Sequence, residues 1–594
     1  MACIAIPHPR QHHLPPLRRP RCMRLTNTLS GYQRRWLMSD ITAGLVVAAL
    51  ITPQAMAYAL LAGMPPQAGL YAALLPVLAY ALLGSSPILA VGPVAVISLM
   101  TFEALHNAAT PGSAEYLSMA SALALLTGLW LLLFYLIDLG RWTTFISHSV
   151  ISAFTSATAI LIVVSQLKYI TGIPLPGGSS LWQTATHLSN DYPQWQPEAV
   201  AIALAALLLL YSWQWLIPKI TCRLPLWLSS LLNKAGPLAA VAMGIAVVQA
   251  VTPTIATIGE LPAGLPVLAL PALTIDQWQT LLPAAAVIAL IGYLSSLSVA
   301  EALAPLPDSN SAANAEPSTP PRLRTNQELL ALGIANLAAA ISQAFPVAGG
   351  FGRSVVNRAA GARTQLASII TVVLVALVCL FASRLFMDLP YAVLAVIIVS
   401  AVLPLISFSD ARRAWHFQKS DGLVWLTTFT AVLAAGAVDG ILLGMVLSLV
   451  LYLRRSSEPH IAEIGRVGDS DHFRNVKRHQ VTTSTQVLMI RIDENLYFAN
   501  GQYLEDVIRQ RLQSGGHIRH VVLVGSAINH IDFSGFETLQ HLLRELRKQH
   551  IQLHLAEVKG PVMDQLGKTN LLEELAPGQV FFTASEALRT LADC

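Results

Sequence analysis

The sequence predicts a polytopic all-α membrane domain followed by a small cytoplasmic α/β domain. Three observations carry this. The chain is apolar in 54% of its residues and charged in only 12%, with a mean hydropathy of +0.56, a balance that no soluble domain of 594 residues shows. Long apolar segments follow one another closely up to about residue 453. After Arg455 charge returns, and strand patterns alternate with amphipathic helices.

Residues 1–36 are a basic, Pro-rich tail. No apolar run follows its arginines closely, so it is not a secretory signal peptide. His12 and His13 fit a solvated tail better than a metal site, and Met23 and Met38 are alternative starts. The membrane domain is expected over 37–456, with spans near 41–62, 69–83, 94–104, 118–139, 149–170, 199–216, 237–251, 282–304, 328–344, 352–360, 365–386, 391–405, 423–437 and 441–453. A polar Pro/Ser/Ala-rich linker, expected to be disordered, interrupts it at 305–324.

Loop charge gives an independent check. Counting from an inside amino terminus, the inside gaps carry Arg141, Lys219, Arg322, Arg358, Arg412 and Arg413, among others, and Arg454-Arg455 follow the last span. The outside gaps at 171–198 and 252–280 have no Lys or Arg, and only Lys168 and Arg384, both at span ends, depart from the pattern. The positive-inside rule then places both termini in the cytoplasm of a cell (inner) membrane protein.

The stretch FPVAGGFGRSVVNRAAGAR, 345–363, is broken by Gly349, Gly350 and Gly352 and carries Arg353. Its regular part would rise only about 13 Å against a hydrocarbon core of about 30 Å. Such a half-helix survives at membrane depth by lining a cavity or by being buried in protein. It reads as an anion site, its free N–H groups and Arg353 facing a cavity; a re-entrant structural turn with a snorkelling arginine is the alternative. ILAVGPVAVISLM, 88–100, is built alike, and Pro93 suits the first turn of its helix. These are the third and tenth spans, equivalent places in a seven-plus-seven count, and they run in opposite directions. Facing half-helix ends of that kind hold the substrate in secondary transporters, and two positive ends plus an arginine favour an anion.

Gln54 and Tyr58 share one face of the first span. A mid-span glutamine needs a partner, either substrate or a neighbouring helix. The eighth span offers Ser295, Ser296 and Ser298 but no mid-span carboxylate, Glu301 lying near its cytoplasmic end. The five cysteines show neither disulfide nor zinc spacing. No cofactor motif or nucleophile–base set suggests an enzyme, and the net charge of +4 calls for no nucleic-acid partner.

TPQAMAYALLAG, VGPVAVISLM, HSVISAFTSATAILIVVSQL, TNQELLALGIAN and GGFGRSVVNRAAGARTQLASI, in this order, resemble the SulP family of anion transporters, relatives of sulfate transporters, anion exchangers and prestin. Residues 457–594, with INHIDFSGFETL, resemble a STAS domain. The resemblance implies two intertwined seven-span inverted repeats. They would form a core domain (spans one to four and eight to eleven) that carries substrate against a gate domain, in an elevator-like motion within a homodimer. It implies a substrate pocket of Gln54, Tyr58, Val94, Ala95, Ser295, Gly352, Arg353 and Ser354, with half-helix N-termini at Gly92, Pro93 and Gly350. Sulfate is the family default. Bicarbonate, chloride and dicarboxylates remain open, as does a non-transporting anion sensor that signals through STAS to a cytoplasmic partner.

The chain departs from the family in three places. Many relatives have Glu, associated with proton coupling, where Ser295 stands, which leaves exchange, sodium coupling and uniport open. Many have Ser where Gly352 stands. Phe533 occupies the position that soluble STAS regulators phosphorylate, so such switching is not expected, and Ser534 is expected to cap the following helix.

Overall fold

A computed structural model describes residues 32–141, 147–173, 195–221, 229, 232–233, 235–251, 255–260, 264–303, 323–513 and 517–592. The expected tail up to residue 31 and the linker up to residue 322 lie outside them. The chain forms two compact units, Met1–Met445 and Val446–Cys594.

In the first unit every expected span coincides with one helix or with two. The first half contains α1 (Leu37–Leu61), α2 (Pro66–Ala72), α3 (Leu75–Leu83), β1 (Val91–Gly92), α4 (Ala95–Leu105), α5 (Ala114–Leu136), α6 (His148–Thr171), α7 (Pro197–Thr221) and α8 (Gly236–Val251). The second half contains α9 (Ile275–Ala302), α10 (Thr325–Ile341), β2 (Ala348–Gly349), α11 (Phe351–Ala359), α12 (Leu366–Leu377), α13 (Tyr391–Val402), α14 (Phe408–Phe417), α15 (Lys419–Ala435) and α16 (Ala437–Ser457). Among the described residues, eight helical segments are long and apolar enough to cross a membrane.

The span expected at 365–386 is not one α-helix. After Leu377 the chain makes a π turn, Val378–Ala382, and then a 3-10 turn, Ser383–Phe386. The Cys379 carbonyl accepts the Gly264 N–H at this point, and such an intrusion into the helical ladder produces this kind of bulge. The amphipathic α14 was read as an inside loop because of Arg412 and Arg413. It exposes Phe408, Trp415 and Phe417.

α1 is the hub. It packs on α12, α2, α11, α13 and α4. Asp40, fully buried near its start, accepts the Arg363 and Thr364 N–H groups and the Thr364 hydroxyl, at 2.8, 3.2 and 2.7 Å. Further along, two short strands interrupt the helical layers. β1 and β2 pair antiparallel, Val91 with Gly349 and Gly92 with Ala348.

Two residues of ladder leave most nearby peptide groups without a strand partner, and buried side chains supply the rest. Asn336 donates to the Val347 carbonyl (3.0 Å) and accepts the Val347 N–H (2.9 Å). Gln365 donates to the Ser86 and Leu89 carbonyls (2.6 and 3.0 Å), and Asn357 to that of Ile88 (2.9 Å). The fully buried Glu328 carboxylate accepts from Tyr80 Oη, Ser85 N, Ser85 Oγ and Ser86 N.

The second unit is a six-stranded sheet in the order β4-β3-β5-β6-β7-β8. Its strands are β3 (Ile461–Arg466), β4 (Phe473–Asn475), β5 (Val487–Ile492), β6 (His520–Val524), β7 (Gln552–Ala556) and β8 (Val580–Phe581). β5 to β8 run parallel, while β3 is antiparallel to β4 and β5. The helices are α17 (Gly501–Gln513), α18 (Phe533–Lys548), α19 (Gly560–Leu566), α20 (Leu571–Glu574) and α21 (Ala584–Ala592). Leu488, Ile490, Val521 and Leu523 pack under α17 and α18. Val487, Met489, Val522 and Val524 face α21. Coverage on both faces explains the unbroken apolar runs of the parallel strands.

Ser534 does not cap α18. Asp532, extended and three residues before Gly535, accepts the Gly535 N–H at 2.7 Å, so the helix begins at Phe533 and Ser534 lies within it.

β6 and β7 bring His520 and His554 together, with Nδ1 of one 3.1 Å from Nε2 of the other. His554 Nδ1 accepts the Gln579 N–H, so its proton sits on Nε2 and is donated to His520. Burial, with His520 adding to it, pushes the His554 pKa down from 6.5 to about 4.

Two predictions follow from these bonds. Asn336→Leu leaves both polar groups of Val347 unpaired and lowers stability by about 2–4 kcal/mol. It is read as a drop in the thermal midpoint of the purified protein, and an unchanged midpoint contradicts it. For His554, the unfolded chain binds the extra proton between about pH 6.5 and about pH 4. Its stabilisation is therefore complete above that window and is lost as pH falls through it. Hydrogen exchange of β7 in the full chain, corrected for intrinsic rates, should lose protection on acidification, and His554→Gln should flatten that loss. Equal slopes in the two proteins contradict the assignment.

Candidate functional site

The site is assembled where β1 and β2 lead into α4 and α11. Val94 is extended (φ −132°, ψ 139°) and is the N-cap of α4, and Gly350 (φ −96°, ψ 120°) is that of α11. Neither helix has a side-chain cap. The first intrahelical bonds are Ser98 N to Val94 O and Ser354 N to Gly350 O. The N–H groups of Ala95, Val96 and Ile97, and of Phe351, Gly352 and Arg353, therefore have no acceptor within their own helices. Pro93 is not in the first turn as expected. Because Val94 is extended, the helix starts at Ala95, and Pro93 serves through its carbonyl instead.

That carbonyl accepts from Arg353 Nη1 at 2.6 Å. Arg353 is 3% exposed, and its Nε and Nη2 are buried without a partner. The guanidinium fits because two glycines leave room for it. A Cβ on Gly92 (φ +148°) would lie 3.3 Å from Nη2, and one on Gly350 would lie 2.9 Å from it. Among the described residues no carboxylate pairs with Arg353. A buried charge of this kind costs several kcal/mol unless something negative answers it.

Burial divides the expected pocket residues into two sets. Gln54, Val94, Ser295 and Gly352 meet accessible space, and Phe351 is 51% exposed. Ala95, Arg353 and Ser354 lie behind them, buried. The Gln54 amide and the Ser295 hydroxyl make no hydrogen bond within the described residues. Tyr58, one turn from Gln54 and buried, is near enough to Arg353 to feel its charge. A Cβ on Gly352 would meet nothing within 4 Å, so a serine at this position has space to fit.

The hydroxyl of Ser354 is committed. It donates to Gly350 O at 2.8 Å and accepts the Ala90 N–H at 2.9 Å, tying the two lead-ins together. Sequence reasoning weighed Ser295 but missed the role of its neighbour. Ser296 donates to Gly292 O and accepts the Gly349 N–H at 2.8 Å, docking β2 on α9. Asn357, Gln365 and Glu328 were also missed as supports, since their partners are remote in sequence, and Asn336 was missed although Val347 is only 11 residues away.

This arrangement can do one thing well. It presents neutral N–H, amide and hydroxyl donors to an accessible face, with a fixed positive charge immediately behind. The family model described as the sulfate permease family matches residues 37–428. The chain belongs to the sulfate permease family. A STAS domain model matches residues 478–587 of the second unit. The chain is 34% identical over 564 residues to sulfate transporter 4.1, chloroplastic, of Arabidopsis thaliana, covering 93% of this chain and 79% of that protein. It is 33% identical to a probable sulfate transporter of Mycobacterium tuberculosis, over 94% of this chain and 96% of the relative. The murine Slc26a9 anion transporter in its inward-facing state shares the fold at a TM-score of 0.84, with 22% identity over 97% of each chain. The transmembrane domain of the cyanobacterial bicarbonate transporter BicA superposes at 0.56 with 26% identity, over 70% of this chain and 98% of that domain.

Proposed function

We propose that the protein is a secondary transporter of small anions, sulfate first among them, working by alternating access without covalent chemistry. One observation carries this. Arg353 is a buried cation with two unpartnered donors, set between two uncapped half-helix N-termini. The anion sits against the first turns of α4 and α11, held by backbone N–H groups, Gln54 and Ser295. Arg353 supplies charge from behind and, through Pro93, locks the two lead-ins together. Tyr58 flanks the site, Val94, Ala95 and Gly352 contribute backbone, and Ser354 acts by holding the frame.

The first four and the eighth to eleventh spans carry this site against the remaining spans in an elevator-like motion. The protein is a homodimer in a cell membrane, with both termini in the cytoplasm and the STAS domain open to a cytoplasmic partner. Bicarbonate is the second reading, favoured by the likeness to BicA.

Labelled sulfate uptake into proteoliposomes tests this, run with competing bicarbonate, chloride and fumarate and with and without proton and sodium gradients. The wild type accumulates sulfate, and Arg353→Gln loses about tenfold or more in apparent affinity while remaining folded. Competition by bicarbonate without sulfate flux selects the second reading. No flux of any anion overturns transport in favour of a sensor.

A further inference from the structure

Among the described residues the site contains no carboxylate, yet the half-helix that forms one side of it carries one at its other end. Glu103 lies in the last turns of α4. Its Oε2 accepts the Ala437 N–H at 2.8 Å, and the Val438 N–H is near enough to act on the carboxylate. These are N–H groups of the first turn of α16, whose first intrahelical bond is Gly440 N to Gly436 O. Glu103 thus caps α16 from a helix 334 residues away. Gly436 permits the contact. It adopts φ +96°, and a Cβ there would sit 3.3 Å from Glu103 Oε2.

We propose that Glu103 is a proton-binding site that links transport to pH, by latching α4 to α16 when ionised and releasing it when protonated. This rests on the transport reading above, in which the third span moves with the core and the fourteenth belongs to the gate. Ionised, the carboxylate answers the positive end of α16 and accepts the Ala437 N–H. Protonated, it loses the charge that faces that end, and α4 is free to part from α16. On the proposed topology this contact lies at the outer end of the spans, so outside protons reach it.

Among the described residues, the charged and titratable neighbours are few. Asp439, in the first turn of α16, is the like charge that acts on Glu103. On its own helix, His106 Nδ1 is bonded to the Phe102 and Glu103 carbonyls and stacks on Phe102. A proton taken up here would act on the same helix that presents its N-terminus to the anion. That offers a coupling route that does not pass through Ser295.

The test is initial sulfate uptake into proteoliposomes, with outer pH varied between about 8 and 5.5. The wild type should change rate about fivefold or more across this range, the size of an ordinary coupling between sites. Glu103→Gln, which keeps shape and removes titration, should be flat and close to the wild-type rate at acid pH. Ala437→Pro is the second variant, since proline is tolerated at the first helical position and lacks the N–H that Glu103 accepts. It should flatten the profile in the same way with Glu103 intact. Flux in all three proteins with superimposable pH profiles overturns the latch and leaves anion transport standing. Absence of flux from the wild type overturns the transport reading itself.

Discussion

Everything in the membrane unit depends on one constraint: a polypeptide that leaves helical geometry between apolar helices must still satisfy each peptide N–H and C=O. The chain breaks twice, at β1 and β2, and a two-residue antiparallel ladder repairs only part of the loss. Buried side chains supply the rest. Asn336 clasps both polar groups of Val347, Gln365 and Asn357 take carbonyls from 86–89, and Ser296 and Ser354 each accept one N–H. Around the two breaks, among the described residues, the groups left without a partner are the first-turn N–H groups of α4 and α11, which have no acceptor within their own helices, Arg353 Nε and Nη2, and Asn357 Oδ1. On the proposed reading, the residual donors are the anion site.

The geometry also assigns a place to the charge. Arg353 does not stand in the accessible face but behind it, bonded to Pro93 and enclosed by Gly92 and Gly350. In the proposed transporter, direct contacts then fall to neutral donors, which hold an anion without trapping it, while the cation sets the sign of what can enter. A transported ion must also leave, so a field from behind suits the task better than a direct ion pair. The same economy of charge makes Glu103 and Asp40 conspicuous, because each joins distant parts of the unit through a single carboxylate.

Much of this was legible in the sequence. Apolar segments and loop charges located the helices, and Gly349, Gly350 and Gly352 beside Arg353 marked the broken one. Gln54 stood out as a polar residue in mid-span, and Ser295 was separated from Ser296 and Ser298 only by the family resemblance. The supports were not legible, since their partners lie far off: Gln365 reaches back 279 residues to Ser86. Pro93 and Ser534 were each misplaced by the same cause. A helix start depends on the backbone of the residue before it, Val94 in one case and Asp532 in the other, and residue type alone does not report that. The short edge strands β4 and β8 gave too little pattern to see, and α14 was hidden by the arginines that made it look like a loop.

The central claim is that an oxyanion rests against the first turns of α4 and α11 in front of Arg353. The most direct measurement is a structure of the full protein with selenate, whose selenium can be located by anomalous scattering. The account predicts a peak whose oxygens lie about 2.7–3.2 Å from N–H groups of the first turns of α4 and α11, and the loss of that peak in Arg353→Gln. Ordered selenate bound elsewhere, with this position empty at saturating concentration, would contradict it.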